Sequence, residues 1–207
     1  MKTLDLGVFA SGRGSNFEAI LDAIGQGRLQ ARPRLLISNN PEAGALMIAR
    51  RHAVPTAVVS RSDFSEREAF VREMQRHLDN HQVEIIALAG YMKKIPPEII
   101  GRYRQRIVNI HPALLPSFGG RGMYGLRVHE AVLEAGCKVT GVSIHLVDEE
   151  YDRGPIIAQR CVPVEPADTA ESLAERTLRM EHTLYPEVLQ WFAEGRVRTE
   201  GRTVYIE

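Results

Sequence analysis

The run Val83-Glu84-Ile85-Ile86-Ala87-Leu88-Ala89 is nearly continuous in apolar residues. A strand with one wet face alternates apolar and polar residues. A strand covered on both faces reads as a continuous apolar run, as central parallel strands do. Parallel neighbours need a crossover to bring the chain back, usually a helix. The rest of the N-terminal half supplies such crossovers. Leu4 to Ala10 reads as a short strand, and Asn16 is placed to cap a helix carrying Phe17, Ile20, Leu21 and Ile24 at helical spacing. Leu35 to Ser38 reads as a strand, Ala43 to His52 as a helix and Thr56 to Val59 as a strand. A longer helix is predicted from about Ser65 to Asn80, with Phe70, Val71, Met74 and Leu78 facing inward. Pro96 and Pro97 open a short helix that reaches about Tyr103, and Ile107 to Ile110 is a further strand.

The pattern then changes. Lys138 to Val147 and Ile156 to Val164 are strands flanking a turn at Asp152-Arg153-Gly154-Pro155, and strands joined without a helix usually pair antiparallel. A last helix is expected from near Asp168, with Glu171 completing a capping box, towards Phe192 with a bend at Pro186. Thr203 to Ile206 reads as a terminal strand. The expected fold is α/β: a doubly wound, mostly parallel, Rossmann-like sheet with an antiparallel C-terminal part, in a single domain spanning 1–207. Ligands in such sheets lie beyond the carboxyl ends of the strands, where strand order reverses. The loops after Ala10, Ala89 and Ile110 are therefore the functional candidates.

A chain of 207 residues can bury a core without disulfides or metal. Its 26 basic and 26 acidic residues cancel, so the broad positive field of a nucleic-acid binder is absent and no nucleic-acid partner is expected. Cys137 and Cys161 fit neither Cys-x-x-Cys nor zinc-ribbon spacing and read as reduced cytosolic thiols. No clustered ligand set is found, so no metal is expected. No basic segment leads into a long apolar run and no stretch approaches membrane-helix length, so no signal peptide and no membrane partner are expected, and the predicted location is the cytoplasm.

Ser11-Gly12-Arg13-Gly14-Ser15-Asn16 joins the first strand to the first helix. Its glycines let backbone approach a ligand, and the helix start offers N–H groups and a positive dipole end that suit phosphate. Phe17 stands where the dinucleotide fingerprint needs glycine, and no Gly-Lys-Ser/Thr follows, which disfavours a dehydrogenase or an ATPase. A plain tight turn with a helix cap remains an equal reading of the loop by itself. Asn109 and His111 lie two apart at a strand end, hence on one face, and Pro112 keeps His111 extended. An amide N–H that holds an oxyanion and an imidazole that moves protons suit acyl transfer through a tetrahedral intermediate. A buried Asn and His satisfied by backbone is the alternative. Asp152 at the later turn is a carboxylate that, brought near His111, would hold it protonated; otherwise it serves its own turn.

The chain resembles the folate-dependent formyltransferases, in particular their glycinamide ribonucleotide branch. The likeness runs through SGRGSN at 11–16, LAGYM at 88–92, NIHPALLP at 109–116, His129, GVSIHLVDEEYDRGPII at 141–157 and EHTLYP at 181–186. The resemblance implies transfer of a formyl group from 10-formyltetrahydrofolate, a cosubstrate, to the amine of glycinamide ribonucleotide in purine synthesis. It implies an N-terminal half that binds the ribonucleotide and a C-terminal half that binds the folate, in a monomer or homodimer. It also implies roles for residues. Asn109, His111 and Asp152 would be catalytic. Gly12, Gly14, Ser15 and Asn16 would hold phosphate and ribose, with Glu181 near the glycinamide end. Met92, Lys93, Lys94 and Ile95 would line the folate site together with Asn109, with Arg67 at its outer edge and the backbone from Asp148 to Asp152 around the pterin-like ring. His145 is read as structural.

Two departures from the family pattern stand out. Lys93 replaces an Arg common in the family, keeping the charge but losing the planar fork. The loop Phe118 to Gly125 is longer than in short-loop members, and its glycines suggest a mobile lid. Rival readings are a hydrolase on the same scaffold with water as acceptor, a tRNA-directed formyltransferase, and a non-catalytic protein that binds a phosphorylated ligand.

Overall fold

The computed structural model describes residues 3–207. Strands β1 (Leu4–Phe9), β2 (Ala31–Ser38), β3 (Thr56–Val58), β4 (Ile85–Leu88), β5 (Ile107–His111), β6 (Val139–Leu146) and β7 (Ile156–Pro163) form one sheet in the order β3-β2-β1-β4-β5-β6-β7. β1 to β5 pair parallel, whereas β6 is antiparallel to β5 and β7 to β6. The doubly wound, mostly parallel architecture expected from the alternation is thus observed, with its antiparallel end. The strand order reverses between β1 and β4.

Helices cover both faces. Helix α1 (Ser15–Gly25), α2 (Gly44–Arg51) and the long α6 (Ala170–Ala193) contribute to one apolar cluster with Phe17, Ile20, Leu46, Leu184 and Tyr185. Helix α3 (Arg67–Asn80) and α4 (Pro97–Arg102) contribute to the other with Phe70, Val71, Met74, Leu78, Ile99 and Ile100. The four inward residues predicted for α3 are all buried. The short helix α5 (Leu126–Glu134) follows the glycine-rich loop and packs on α6. No helix among the described residues is long and apolar enough to cross a membrane.

Several expectations are corrected. Asn16 does not cap α1; Gly14, in the left-handed region at φ 88°, precedes the helix, and the Asn16 side chain turns inward instead. β2 starts at Ala31, four residues before the apolar run, and its register with β1 jumps between Leu6/Pro33 and Gly7/Leu35. Pro33 lacks an N–H, so a ladder irregularity there costs little. The α6 capping box lies one residue later than predicted: Thr169 and Ser172 exchange side-chain-to-backbone bonds. The Asp168 carboxylate is instead committed to Arg176. The helix runs through Pro186 to Ala193. The terminal strand β9 (Thr203–Ile206) pairs with β8 (Val197–Glu200) in a separate hairpin. β8 carries alternating charged residues, so no apolar run announces it.

The fully buried Tyr185 of α6 ties the sheet's carboxyl edge together. Its hydroxyl lies 3.1 Å from the Leu88 carbonyl on β4 and 2.9 Å from the Val108 carbonyl on β5. Tyr185→Phe keeps the ring's packing and strands these acceptors. It is expected to cost about 1–2 kcal/mol of unfolding free energy, as read from urea denaturation.

Candidate active site

The loops after β1, β4 and β5 open on the same edge of the sheet, at the reversal of strand order. Gly14 gives α1 its start: a Cβ there would lie 2.8 Å from the Ala45 Cα of α2, so only glycine permits this approach and this φ. The first turn of α1 directs N–H groups that have no intrahelical acceptor towards the edge. Asn16 is buried, and its Nδ2 donates to Glu181 Oε2 at 2.6 Å. Asn16 Oδ1 is buried without a partner. Glu181, carried on the inward face of α6, has its carboxyl pushed up to about 7 by burial, against the opposing effect of the Asn16 bond. Gly12 accepts the Ala45 N–H at 3.2 Å, and Ser15 opens α1 beside Asn16.

Asn109 and His111 share one face of β5, as their spacing required. β6 runs antiparallel beside them, placing His145 opposite Asn109 and Ser143 opposite His111. Asp152 reaches the same point from the β6–β7 turn, with its backbone in the left-handed region at φ 54°. Its Oδ2 is 3.7 Å from His111 Nδ1, and its Oδ1 is 3.5 Å from Asn109 Nδ2. The structure therefore brings Asn109, His111 and Asp152 together. His111 is buried, and its Nε2 lies 2.8 Å from the Phe118 carbonyl. That contact assigns the Nε2–H tautomer, since a carbonyl only accepts.

The glycine-rich loop lies over this group. Gly120 donates its N–H to Asp152 Oδ2 at 2.8 Å. A Cβ on Gly119 would meet Leu115 Cδ2 at 2.5 Å and Asp152 Cβ at 3.2 Å, so a side chain there would push the loop off.

The electrostatics differ from expectation in one respect. Burial lowers the His111 pKa, and the charge of Asp152 and the Phe118 carbonyl offset this only in part, so the net direction is down. Burial thus outweighs the pull of Asp152 that was expected to hold His111 protonated. For Asp152, burial acts upward, but the contacts with His145 and His111 and the Gly120 N–H outweigh it and hold the carboxyl below its ordinary value.

His145, read as structural, lies against two of the three. Its Nδ1 is 2.8 Å from the Leu146 carbonyl, which leaves Nε2 to accept the Asn109 amide N–H at 3.0 Å. Nε2 is also 3.5 Å from Asp152 Oδ1. The signal was present in the sequence: Ser143 and His145 are polar residues at period two between apolar Val142, Ile144 and Leu146. Ser143 Oγ accepts from Leu115 N–H at 2.9 Å and donates to the Ala113 carbonyl at 2.7 Å, which fixes the segment after His111.

The remaining predicted residues are more dispersed. Met92 is 47% exposed on the loop after β4, and Lys93 and Lys94 are exposed beside it. Lys94 Nζ sits 5.8 Å from the Tyr151 ring centroid, linking this loop to the β6–β7 turn. The Ile95 side chain is buried in the apolar cluster under α4, so it supports this loop from below. Arg67 makes a bidentate pair with Glu98 at 2.7 and 2.8 Å, joining α3 to α4 away from the trio. Asp148 accepts the Glu150 N–H at 2.9 Å and lines a cleft of about 680 Å³ with Ile100, Leu146, Val147, Arg104 and Arg202. None of Asn109, His111 or Asp152 lines that cleft, which lies along the same β6–β7 turn.

A profile of the Formyl transferase family matches residues 5–189. The chain belongs to the formyl transferase family. Phosphoribosylglycinamide formyltransferase, chloroplastic, of Vigna unguiculata is 43% identical over 192 residues, 93% of this chain and 62% of that relative. The chain thus spans less than two thirds of the plant relative's length. Phosphoribosylglycinamide formyltransferase of Escherichia coli (strain K12) is 35% identical over 204 residues, covering 99% of this chain and 94% of the relative. Among solved structures, glycinamide ribonucleotide transformylase 1 from Symbiobacterium toebii superposes with a TM-score of 0.92 at 40% identity, covering 99% of this chain and 94% of that one.

The Glu181 carboxyl carries a linkage consequence for this formyl transferase fold. Its folded value of about 7 exceeds the ordinary 4.5, so the folded state holds the proton longer than the unfolded state does. Stability is therefore lost as pH rises from 4.5 to 7 and the loss is complete above that window. Glu181→Gln keeps a neutral partner for Asn16 and removes this dependence. The variant should gain on the wild type between acid and neutral pH by up to about 3 kcal/mol, as measured by urea denaturation across the window.

Proposed function

We propose that the protein transfers a formyl group from 10-formyltetrahydrofolate to the amine of glycinamide ribonucleotide, giving formylglycinamide ribonucleotide and tetrahydrofolate in purine synthesis. The observation that carries this reading is the convergence of Asn109, His111 and Asp152 at the end of β5. The names of the relatives that match along most of this chain support the same substrates.

In this reading the neutral amine attacks the formyl carbon, forming a C–N bond, and the carbonyl π pair moves to oxygen. Asn109 and His111 donate hydrogen bonds to that oxyanion; the His111 Nε2–H now offered to the Phe118 carbonyl is the donor it takes over. Asp152, close to Nδ1, favours the imidazolium as negative charge builds on the oxygen. The bond from carbon to the folate N10 then breaks, N10 takes the proton released by the amine, and the carbonyl re-forms. His145 holds one N–H of the Asn109 amide, and the other, now 3.5 Å from Asp152 Oδ1, is the one that turns to the oxyanion.

The start of α1, with Gly12, Gly14, Ser15 and Asn16, suits the phosphate and ribose, and Glu181 suits a hydrogen-bonding group next to them. The folate would lie along Met92 to Ile95 and Asn109, with its ring against the apolar floor of Ile100, Leu146 and Val147 beside Asp148. Arg67 would meet the outer end of the folate by exchanging one carboxylate, that of Glu98, for another. Such an exposed pair is worth little in itself and can change partners. Both substrates are water-soluble, which fits a cytoplasmic enzyme.

The test is a transfer assay with purified protein and 10-formyltetrahydrofolate, with and without glycinamide ribonucleotide. Amine-dependent deformylation yielding formylglycinamide ribonucleotide is the expected outcome. Equal deformylation without the amine would mean hydrolysis, and no reaction in either case a binding protein. Asn109→Ala and His111→Ala are each expected to lower turnover roughly 100- to 1000-fold while the circular dichroism spectrum stays unchanged; wild-type turnover in either would remove that residue from the mechanism.

A further inference from the structure

Ser11 stands where the sheet divides. β1 and β4 pair as far as Phe9 and Leu88, and the ladder continues with Ala89 N–H to the Phe9 carbonyl at 2.8 Å and Ser11 N–H to the Gly90 carbonyl at 3.0 Å. Beyond that the two chains part, one towards α1 and the other towards α4. The Ser11 side chain supplies the next link. Its Oγ accepts the Met92 N–H at 2.8 Å and donates to Asn39 Oδ1 at 2.5 Å. Its carbonyl accepts from Asn40 Nδ2 at 3.3 Å. The loops after β1, β2 and β4 thus meet on one residue.

We propose that Ser11 is a positioning residue that couples the two substrate sites, a proposal that rests on the transferase reading above. One hydroxyl accepts a hydrogen bond from the Met92 amide and donates one to Asn39, a double role that alanine cannot fill and threonine can. The loop from Gly12 to Asn16 is assigned to the phosphate-bearing substrate and the loop from Met92 to Ile95 to the folate. Ordering the first loop around phosphate holds Ser11 in place, and Ser11 in turn holds the Met92 amide at the edge of the second. The second ligand then finds its loop already ordered, so part of its entropic cost has been met. The coupling is reciprocal: each ligand tightens the other by the same factor.

The experiment is calorimetric titration of tetrahydrofolate, which carries no formyl group to transfer, into the full-length protein with and without saturating glycinamide ribonucleotide. The wild type is expected to bind tetrahydrofolate about fivefold more tightly when the ribonucleotide is present. In Ser11→Ala this ratio should fall towards unity. Affinity for the ribonucleotide without folate should stay near the wild-type value, and in turnover the KM for the folate should rise more than kcat falls. Ser11→Thr should restore the ratio. Asn39→Ala, which removes the acceptor but leaves the hydroxyl, should give an intermediate ratio and serves as the second variant if Ser11→Ala folds poorly. A purely structural Ser11 would lower the melting temperature and leave the ratio untouched. That result, or a wild type that binds both ligands without coupling, overturns the proposal and spares the transferase reading. A wild type that binds neither ligand overturns both.

Discussion

The reversal of strand order between β1 and β4 is the constraint on which the rest of the molecule depends. The crossovers α1 and α2, which lead to β2 and β3, lie on one face, and α3 and α4, which lead to β4 and β5, lie on the other. Two adjacent parallel strands must then part at their carboxyl ends, which opens a crevice lined by backbone that belongs to neither helix layer. A parted edge leaves polar groups unpaired unless side chains replace the lost rungs. Ser11 does so at the mouth of the crevice, between the β1 and β4 sides. One strand further on, Tyr185 serves the carbonyls of Leu88 on β4 and Val108 on β5.

The change from parallel to antiparallel pairing after β5 gives the site its other side. An antiparallel neighbour sets residues directly opposite one another at period two, so β6 places Ser143 and His145 beside His111 and Asn109. The tight connection from β6 to β7 then returns within reach of the same face and delivers Asp152. A parallel neighbour would have carried the chain away through a crossover at that point. Asp tolerates the left-handed backbone better than most residues, which suits the position at φ 54°.

How much of this was legible in the sequence follows from how local each signal is. The buried strands, the inward face of α3 and the shared face of Asn109 and His111 depend on spacing within one element, and they are found where spacing put them. The meeting of Asp152 with His111 spans 41 positions in the chain and depends on how β6 pairs, which local periodicity does not encode. Asn16 reads as a helix cap because the pull of Glu181, 165 residues away, is invisible locally. The capping box at α6 was displaced because Arg176, one to two turns along the helix, claims Asp168. β8 escaped notice because a two-stranded hairpin with charged alternate residues carries no apolar run. Arg67 is read from resemblance alone, and its engagement by Glu98 reflects packing of α3 on α4.

The buried groups of the site are held near neutrality, and this bears on how it meets charge. His111 is pushed down by burial and Glu181 is pushed up by it, so each is shifted towards its neutral form. Asp152 is the exception, its carboxyl held below its ordinary value by contacts with His145 and His111 and by the Gly120 amide despite its own burial. A single buried anion beside a neutral imidazole is an unbalanced arrangement: proton uptake by the imidazole is opposed by desolvation and favoured by Asp152. Negative charge developing on a substrate oxygen near the other ring nitrogen adds to the second effect and not to the first. Protonation would then follow the chemistry rather than precede it. In the proposed reading, a carboxylate 3.7 Å from the ring is near enough to stabilise the imidazolium without fixing it beforehand.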